Sequence, residues 1–283
     1  MTEQITDLSK LNVLVFGGTG GLGRAISQNL ASRGAQVTVI GQTFRDSDIK
    51  NINFIKTDLS SIKSSQNLAH ELDVTNVDLV LFTTGILASK QKQETSEGLE
   101  KDMAVSYLNR LSILKILLPK LPKSTNHGFK GSRIFIMGFP GNNQLGSPKD
   151  LNQDETYHYW TTHMNTVAGN ESLVTSLSKT YPQVKIFGLN PNLVKTNIRS
   201  NLFGDGYLGT AFESVLGWFT NTPEQYANVI TPLLVSPELN DDDGGFYNHK
   251  GQKIPGSKGL DKEYADEFID ASVEVLKKKG IDV

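Results

Sequence analysis

The sequence predicts a doubly wound α/β fold, in which a parallel β-sheet carries helices on both faces. Short β-branched and apolar runs alternate with amphipathic helical segments along the chain. Several of these runs, such as residues 13–16 (VLVF), are apolar throughout, which is typical of parallel strands buried between two helical layers. A glycine-rich turn also joins the first predicted strand to the first predicted helix.

The predicted elements follow one another without a long linker or an internal repeat. Strands are predicted at residues 12–16, 36–40, 53–55, 78–82, 132–137 and 184–188. Helices are predicted at residues 21–32, 61–71, 98–118, 162–180 and 223–235, and a final helix ends in a cluster of lysines near residue 278. A single domain spanning residues 1–283 is the simplest interpretation of this pattern.

Composition excludes several classes of protein. The 28 basic and 30 acidic residues give a net charge of −2, so there is no basic surplus for a nucleic-acid partner. The absence of cysteine rules out disulfides, thiol nucleophiles and iron–sulfur clusters. The polar start is unlike a signal peptide, and no apolar run reaches the roughly 18 residues of a membrane span. We therefore expect a cytoplasmic protein with no membrane partner.

The glycine-rich turn has the chemistry of a dinucleotide site. Small residues before a helix let backbone N–H groups approach a pyrophosphate, and the helix dipole favours its charge. The turn can be parsed as Gly18-x-Gly20-x-x-Gly23 or as Gly17-x-x-x-Gly21-x-Gly23. The residues predicted to bind the cofactor here are Gly17, Thr19, Gly20, Gly21, Leu22 and Gly23.

The end of the second predicted strand bears on the choice between NADP(H) and NAD(H). An acidic residue at this tip would hold the ribose 2′-hydroxyl of NAD. The tip instead carries neutral Gln42 and, nearby, Arg45, which suit a 2′-phosphate. Asp46 and Asp48 follow closely, so the sequence favours NADP(H) while leaving NAD(H) open.

The second parse resembles the short-chain dehydrogenase/reductase family, whose members share a Rossmann fold. Further landmarks follow in that family's order, and some are similar to its retinol-dehydrogenase-like branch. These are the segments 95–100 (TSEGLE), 150–152 (DLN), 190–196 (NPNLVKT) and 222–224 (TPE). Segments 41–46, 98–108, 138–142 and 163–174 also resemble a group of yeast members described as NAD(P)H-dependent aldehyde reductases.

The resemblance implies further cofactor contacts beyond the glycine turn. It places Asp58 and Leu59 beside the adenine, and Thr84 and Gly85 in the turn that ends the family's Asn-Asn-Ala-Gly motif. It also adds three residues that follow the last predicted central strand: Pro191, Val194 and Thr196. A dimer or tetramer is a further implication of the family.

The active-site positions depart from the family pattern. The family uses a tyrosine acid, a lysine four residues later, a carbonyl-polarising serine and a helix asparagine. Here the register places His163 at the tyrosine and Val167 at the lysine. The serine position falls on Gly138 or Phe139, and Ser106 replaces the asparagine. His163 and Ser106 are thus the candidate catalytic residues.

Two functions remain open at this stage. Histidine titrates at about pH 6.5 without help, whereas tyrosine at about 10 needs a cation beside it. A lysine near an imidazolium would oppose its charge, so His163 with Val167 is a consistent pair in a working reductase of small aldehydes or ketones. Alternatively, loss of the lysine and serine indicates a catalytically silent dinucleotide-binding protein that acts as a redox sensor or scaffold.

Other interpretations of the sequence are weaker or remain undecided. The five histidines lack the spacing of a metal site, and no Gly-x-Ser-x-Gly elbow of a hydrolase is present. Tyr157, Tyr159 and Trp160 could line a pocket or pack at a helix entrance. The apolar, glycine-rich segment 197–220 could be a substrate lid, a surface helix or a subunit contact.

Overall fold

A computed structural model describes residues 7–125, 127–192, 222–242 and 244–283. The strands are β1 (Asn12–Phe16), β2 (Gln36–Gly41), β3 (Ile52–Lys56), β4 (Leu79–Phe82), β5 (Arg133–Met137), β6 (Lys185–Asn190), β7 (Gly245–Asn248) and β8 (Lys253–Ile254). They form one sheet in the order β3-β2-β1-β4-β5-β6-β7-β8. The predicted doubly wound fold is confirmed, and the six predicted strands start and end within two residues of the observed ones.

Two features of the sheet differ from the prediction. Strands β7 and β8 were not predicted, and β8 pairs antiparallel with β7, so the sheet is parallel only from β3 to β7. The antiparallel edge is short because β8 contains two residues, which leaves little exposed edge to pair with another chain.

The helices are α1 (Gly21–Ser32), α2 (Ile62–Glu71), α3, α4 (Tyr159–Thr180), α5 (Pro223–Leu234) and α6 (Lys262–Lys278). Helix α3 is composite, with α-helical ends at Lys101–Met103 and Asn109–Leu117 and a wider π-helical turn at Ala104–Leu108 between them. Within the described residues, no helix is both long enough and apolar enough to span a bilayer.

The helices cover both faces of the sheet with separate apolar cores. On one face, α1 and α5 pack against the strands through residues such as Ile26 and Ile230. On the other face, α2, α3, α4 and α6 bury a larger cluster that includes Leu111 and Phe268. Because the strands are covered on both sides, their apolar runs are uninterrupted, as the sequence predicted.

Specific caps fix where the helices near the site begin. The Ser61 hydroxyl accepts the Ser64 amide at the start of α2, and the Glu97 carboxylate accepts the Ile62 amide at 2.8 Å. The Glu97 contact ties the segment before α3 to the start of α2. Helix α5 begins with a reciprocal capping box between Thr222 and Gln225.

Candidate active site

The candidate site lies where the strand order reverses. Strand β1 is flanked by β2 on one side and β4 on the other, and ligands of open α/β sheets bind at the carboxyl ends of strands at such a switch point. The predicted cofactor residues within the described ranges all follow a carboxyl end: the glycine turn after β1, Gln42 and Arg45 after β2, Asp58 and Leu59 after β3, Thr84 and Gly85 after β4, and Pro191 after β6. Val194 and Thr196 lie outside the described residues.

The glycine turn leaves the start of α1 open. Gly20 is the N-cap residue, and no side chain of the described structure caps the helix there. The first backbone N–H groups of α1 are therefore available to an anion, and the helix dipole favours its charge. Gly17 and Gly21 both have positive φ, of 91° and 50°, which glycine adopts at little cost.

The glycines also let the neighbouring segments approach one another. A Cβ built on Gly17 would lie 2.5 Å from the Thr84 amide nitrogen, in the turn after β4. A Cβ on Gly23 would lie 2.2 Å from the Thr83 hydroxyl, so Gly23 packs α1 against that same turn. These residues form a cradle that fits a dinucleotide pyrophosphate: an open helix end, close turns and no Cβ atoms in the way.

The tip of β2 presents a cation to this cradle. The Arg45 side chain is exposed, and its guanidinium donates a hydrogen bond of 3.1 Å to the Thr19 carbonyl. Asp46, which the sequence left as a competing acid, is buried and binds the Arg24 guanidinium at 2.6 Å. Hydrogen bonding to Arg24 lowers the pKa of Asp46, so this carboxylate is already neutralised by a partner.

Asp58, for which the family resemblance implies an adenine contact, lies beside Gln42. The Gln42 amide donates to the Asp58 carboxylate at 2.9 Å, and the Ser60 hydroxyl donates to the same oxygen at 2.7 Å. Burial opposes ionisation, but these hydrogen bonds prevail and lower the pKa of Asp58. Leu59 is buried, and its carbonyl accepts the Asn109 amide, which ties this turn to α3.

The two predicted catalytic residues converge on one buried carboxylate. His163, in the first turns of α4, places its Nδ1 atom 2.8 Å from Oδ2 of Asp102. Ser106, in the π-helical turn of α3, donates to Oδ1 of the same carboxylate at 2.5 Å. The Asp102 side chain is fully buried, whereas the His163 side chain is 23% exposed. The imidazole is therefore partly exposed, while its Nδ1 atom is held by the buried Asp102 carboxylate.

Ser106 also connects this cluster to the cofactor cradle. Its hydroxyl accepts the Ile86 amide at 3.0 Å, and Ile86 directly follows the predicted cofactor residues Thr84 and Gly85. His163, Asp102, Ser106 and Ile86 therefore form a continuous hydrogen-bonded chain that ends at the turn after β4.

A buried arginine, which the sequence analysis did not single out, lies beneath the site. The Arg110 guanidinium donates to the carbonyl oxygens of Met137 and Thr84, at the ends of β5 and β4. It also donates to the Asn170 side chain at 2.7 Å, and that amide donates to the Ser106 carbonyl at 2.8 Å. Burial lowers the pKa of Arg110 to about 9. The signal available in the sequence was a single arginine within a mostly apolar stretch of the predicted helix.

The family positions that lack their usual side chains are filled by packing. Val167, aligned with the lysine, is 4% exposed. Gly138, one of the two residues aligned with the serine, lies close to Asn170, because an added Cβ would be 3.3 Å from the Asn170 Cβ. Of the aromatic candidates, Trp160 is 54% exposed and its ring centroid lies 6.5 Å from that of His163. The predicted lid at residues 197–220 lies outside the described residues.

Comparisons with known proteins identify the family. A family model described as short chain dehydrogenase matches residues 11–146. An uncharacterised oxidoreductase of Saccharomyces cerevisiae is 48% identical over 280 residues, which cover 97% of this chain and 90% of that protein. The chain belongs to the short-chain dehydrogenase family. The enzyme is accordingly an oxidoreductase, and its cofactor is NAD(H) or NADP(H), as the sequence analysis predicted.

More distant matches agree with this assignment. Human retinol dehydrogenase 13 is 23% identical over 275 residues, covering 89% of the enzyme and 80% of the human protein. A solved short chain dehydrogenase structure from Shigella flexneri, described as complexed with NADP, has a TM-score of 0.64. It is 18% identical and covers 88% of the enzyme and all of the Shigella chain, so it shows the fold.

Proposed function

We propose that this enzyme is an NAD(P)H-dependent reductase of aldehydes or ketones in which His163 supplies the proton. The observation that supports this is the partly exposed imidazole at the family's tyrosine position, with Nδ1 2.8 Å from a buried carboxylate. A histidine held in this way is a competent general acid–base group, because its second ring nitrogen remains free to face a substrate. The hydrogen-bonded chain from His163 to the turn after β4 supports a cofactor position beside this imidazole.

The reaction reduces a carbonyl to an alcohol. When bound in the cradle, NAD(P)H would supply a hydride to the carbonyl carbon. His163 gives a proton to the carbonyl oxygen, so that the C=O π bond is replaced by one C–H and one O–H bond. The imidazole then regains a proton from solvent, to which its side chain is open. In the direction of alcohol oxidation the same nitrogen accepts the proton.

NADPH is the cofactor that the tip of β2 favours. The exposed Arg45 guanidinium lies against the glycine turn, where it can meet a 2′-phosphate. The buried Asp46 is paired with Arg24 and so is not available to a ribose 2′-hydroxyl. Both observations support a preference for NADPH over NADH.

The test is turnover with a panel of aldehydes and ketones, followed by NAD(P)H absorbance. His163→Ala should lower kcat by about 10²–10⁴-fold, the usual worth of general acid catalysis, while cofactor affinity stays nearly unchanged. His70→Ala is the matched control, because His70 lies in the last turn of α2 and is exposed. The control should reduce carbonyls at the wild-type rate.

Two outcomes would contradict the proposal. Wild-type rates in His163→Ala would mean that the proton comes from water or another group. Tight NAD(P)H binding without turnover of any carbonyl would instead favour a silent nucleotide-binding protein that senses redox state or scaffolds a partner.

A further inference from the structure

We propose that Asp102 is the positioning residue of this site: it holds the His163 ring with a proton on Nδ1 and thereby assigns Nε2 as the atom that exchanges a proton with the substrate. This inference rests on the proposed acid–base function of His163. It adds a residue that lies 61 positions away in the sequence. It also specifies which of the two ring nitrogens faces the reaction.

The geometry of the carboxylate supports this assignment. Asp102 lies in the short α-helical start of α3 and has no exposed surface. Each of its oxygens has a separate partner: Oδ2 lies 2.8 Å from the His163 Nδ1, and Oδ1 accepts the Ser106 hydroxyl at 2.5 Å. With both oxygens engaged, the carboxylate cannot rotate without losing a hydrogen bond, so it fixes the plane and direction of the imidazole.

The hydrogen-bond directions determine the proton positions. The Ile86 amide donates to the Ser106 hydroxyl oxygen, which leaves the hydroxyl hydrogen free to point at Asp102. An ionised carboxylate only accepts hydrogen bonds, so the hydrogen between Asp102 and His163 must be on Nδ1. A neutral ring then carries its lone pair on Nε2, and a protonated ring carries its transferable hydrogen there.

Three titratable groups interact electrostatically with this carboxylate. Glu100, two residues earlier, and Tyr157, just before α4, both feel its negative charge, which raises their pKa after the larger effect of burial. The buried Arg110 guanidinium is the nearby cation whose pKa the same carboxylate raises against burial. Lys92 acts on Glu100 from the segment before α3. Among these groups, the Arg110 guanidinium is the cation that the carboxylate attracts.

Burying the Asp102 carboxylate costs desolvation free energy, which a neutral side chain making the same contacts would avoid. Taking a carboxylate out of water is unfavourable unless it is hydrogen-bonded or paired. An asparagine would fill the same space and could bond both neighbours without that cost. The charge is useful, however, when the imidazole holds its extra proton, because the carboxylate then faces an imidazolium. In serine proteases the corresponding carboxylate orients histidine in the same way, and its replacement by asparagine lowers kcat by about 10⁴-fold.

The experiment reads the tautomer directly. The full-length protein is labelled with 15N-histidine, and long-range 1H–15N spectra are recorded at a pH where the His163 ring is neutral. The His163 signals are assigned by their loss in His163→Gln. We expect the wild type to carry hydrogen on Nδ1. In Asp102→Asn, Ser106 keeps the amide oxygen, so the amide NH2 faces Nδ1 and the hydrogen should move to Nε2.

Kinetics provide the second measurement. Asp102→Asn should lower kcat at least a hundredfold while the Kd for NADPH changes less than threefold. The matched control is Asp78→Asn, because Asp78 is also buried but accepts the Asn12 amide at the amino ends of β1 and β4, away from the site. This control should keep both the wild-type tautomer of His163 and the wild-type kcat.

The outcomes separate this inference from the proposed function. A wild-type ring with its hydrogen on Nε2 would overturn the inference, with or without turnover and even if Asp102→Asn failed to fold. An unchanged tautomer together with wild-type kcat in Asp102→Asn would also overturn it. A wild type that carries hydrogen on Nδ1 but reduces no carbonyl would support the positioning by Asp102 and refute the reductase.

Discussion

Glu100 is a second buried carboxyl group near the site, and its protonation should affect stability. Its side chain is 1% exposed and caps the start of α3 by accepting the Met103 amide at 2.8 Å. Burial, followed by the negative charge of Asp102, raises the pKa of Glu100 to about 7. The folded protein therefore retains a proton that the unfolded chain releases at about pH 4.5.

This shift predicts a pH-dependent stability. Below about pH 4.5 both states hold the proton, and between about 4.5 and 7 only the folded state does. The free energy of unfolding should therefore fall as pH rises through this window, by on the order of 3 kcal/mol from this group. Glu100→Gln keeps the acceptor for Met103 without the charge, so it should remove most of that slope and gain stability over the wild type at pH 8.

Urea unfolding at pH 5 and pH 8 checks this prediction. Glu155→Gln is the control, because Glu155 is exposed and should leave the slope unchanged. If the free energy of unfolding changed by the same amount between pH 5 and pH 8 in the wild type and in Glu100→Gln, Glu100 would be ionised in the folded protein at both pH values.

At the residue scale, the sequence offered two of the four side chains in this hydrogen-bonded cluster as candidates and gave no pointer to the other two. His163 and Ser106 were proposed because the family pattern supplies a register for them, and the structure brings both to Asp102. Asp102 and Arg110 have no such register, and their contacts join α3 to α4 and to the ends of β4 and β5. Such contacts depend on how helices pack on the sheet, which spacing along one chain does not encode.

The glycine turn and α1 act as one element, in which each glycine has a different role. Gly20 has an extended backbone, with φ −158°, and the nearest atom to an added Cβ is the Arg45 guanidinium at 4.0 Å. Gly23 is enclosed, because an added Cβ would lie 2.2 Å from the Thr83 hydroxyl and 2.6 Å from the Gly17 carbonyl. Gly21 has φ +50°, so a valine there would strain the backbone as well as block a ligand.

These differences predict distinct effects for substitutions at Gly20 and Gly23. Gly20→Val should abolish NADPH binding in a fluorescence titration while changing the free energy of unfolding by less than about 1 kcal/mol, since only open space and a flexible arginine face it. Gly23→Ala should lower stability by about 1–3 kcal/mol through overpacking. NADPH affinity equal to wild type in Gly20→Val would mean that the pyrophosphate does not lie at the start of α1.

The π-helical turn in α3 shows what element prediction from sequence cannot provide. The sequence predicted one continuous helix over residues 98–118 and no π turn within it. In the structure the Asn109 amide reaches back five residues to Ala104. The wider turn lets the Ser106 carbonyl accept the Asn170 amide, so a contact from α4 stabilises the distortion. The distortion also lies at the predicted catalytic serine.

On the scale of the whole molecule, the parallel core was the most predictable part. Strands such as β1 and β4 are buried on both faces, so their apolar runs stand out in the sequence. Strands β7 and β8 are short, and β7 includes Gly245 and Asn248, which are poor strand formers. The cradle was predictable because its parts are turns at carboxyl ends of strands, whose position the fold class already implies.

The way the cradle is assembled links cofactor binding to folding. Its parts follow β1, β2, β3 and β4, so they come together only in the folded chain. A ligand that binds only the folded state at about a hundred times its Kd stabilises it by about 2.7 kcal/mol. NADPH should therefore raise the melting temperature by about 5–10 °C, and Gly20→Val should melt at the same temperature with and without it.

Arg45 should decide which nucleotide gives the larger rise in melting temperature. At equal concentrations NADPH should stabilise the wild type more than NADH does, because only NADPH offers a 2′-phosphate to the guanidinium that lies against Thr19. In Arg45→Ala the NADPH shift should fall toward the NADH shift, while the NADH shift stays the same. Arg33→Ala is the matched control, since Arg33 lies at the opposite end of α1 and should preserve both shifts. Equal shifts for the two nucleotides in the wild type, unchanged in Arg45→Ala, would show that Arg45 holds the glycine turn through Thr19 without contacting the ribose.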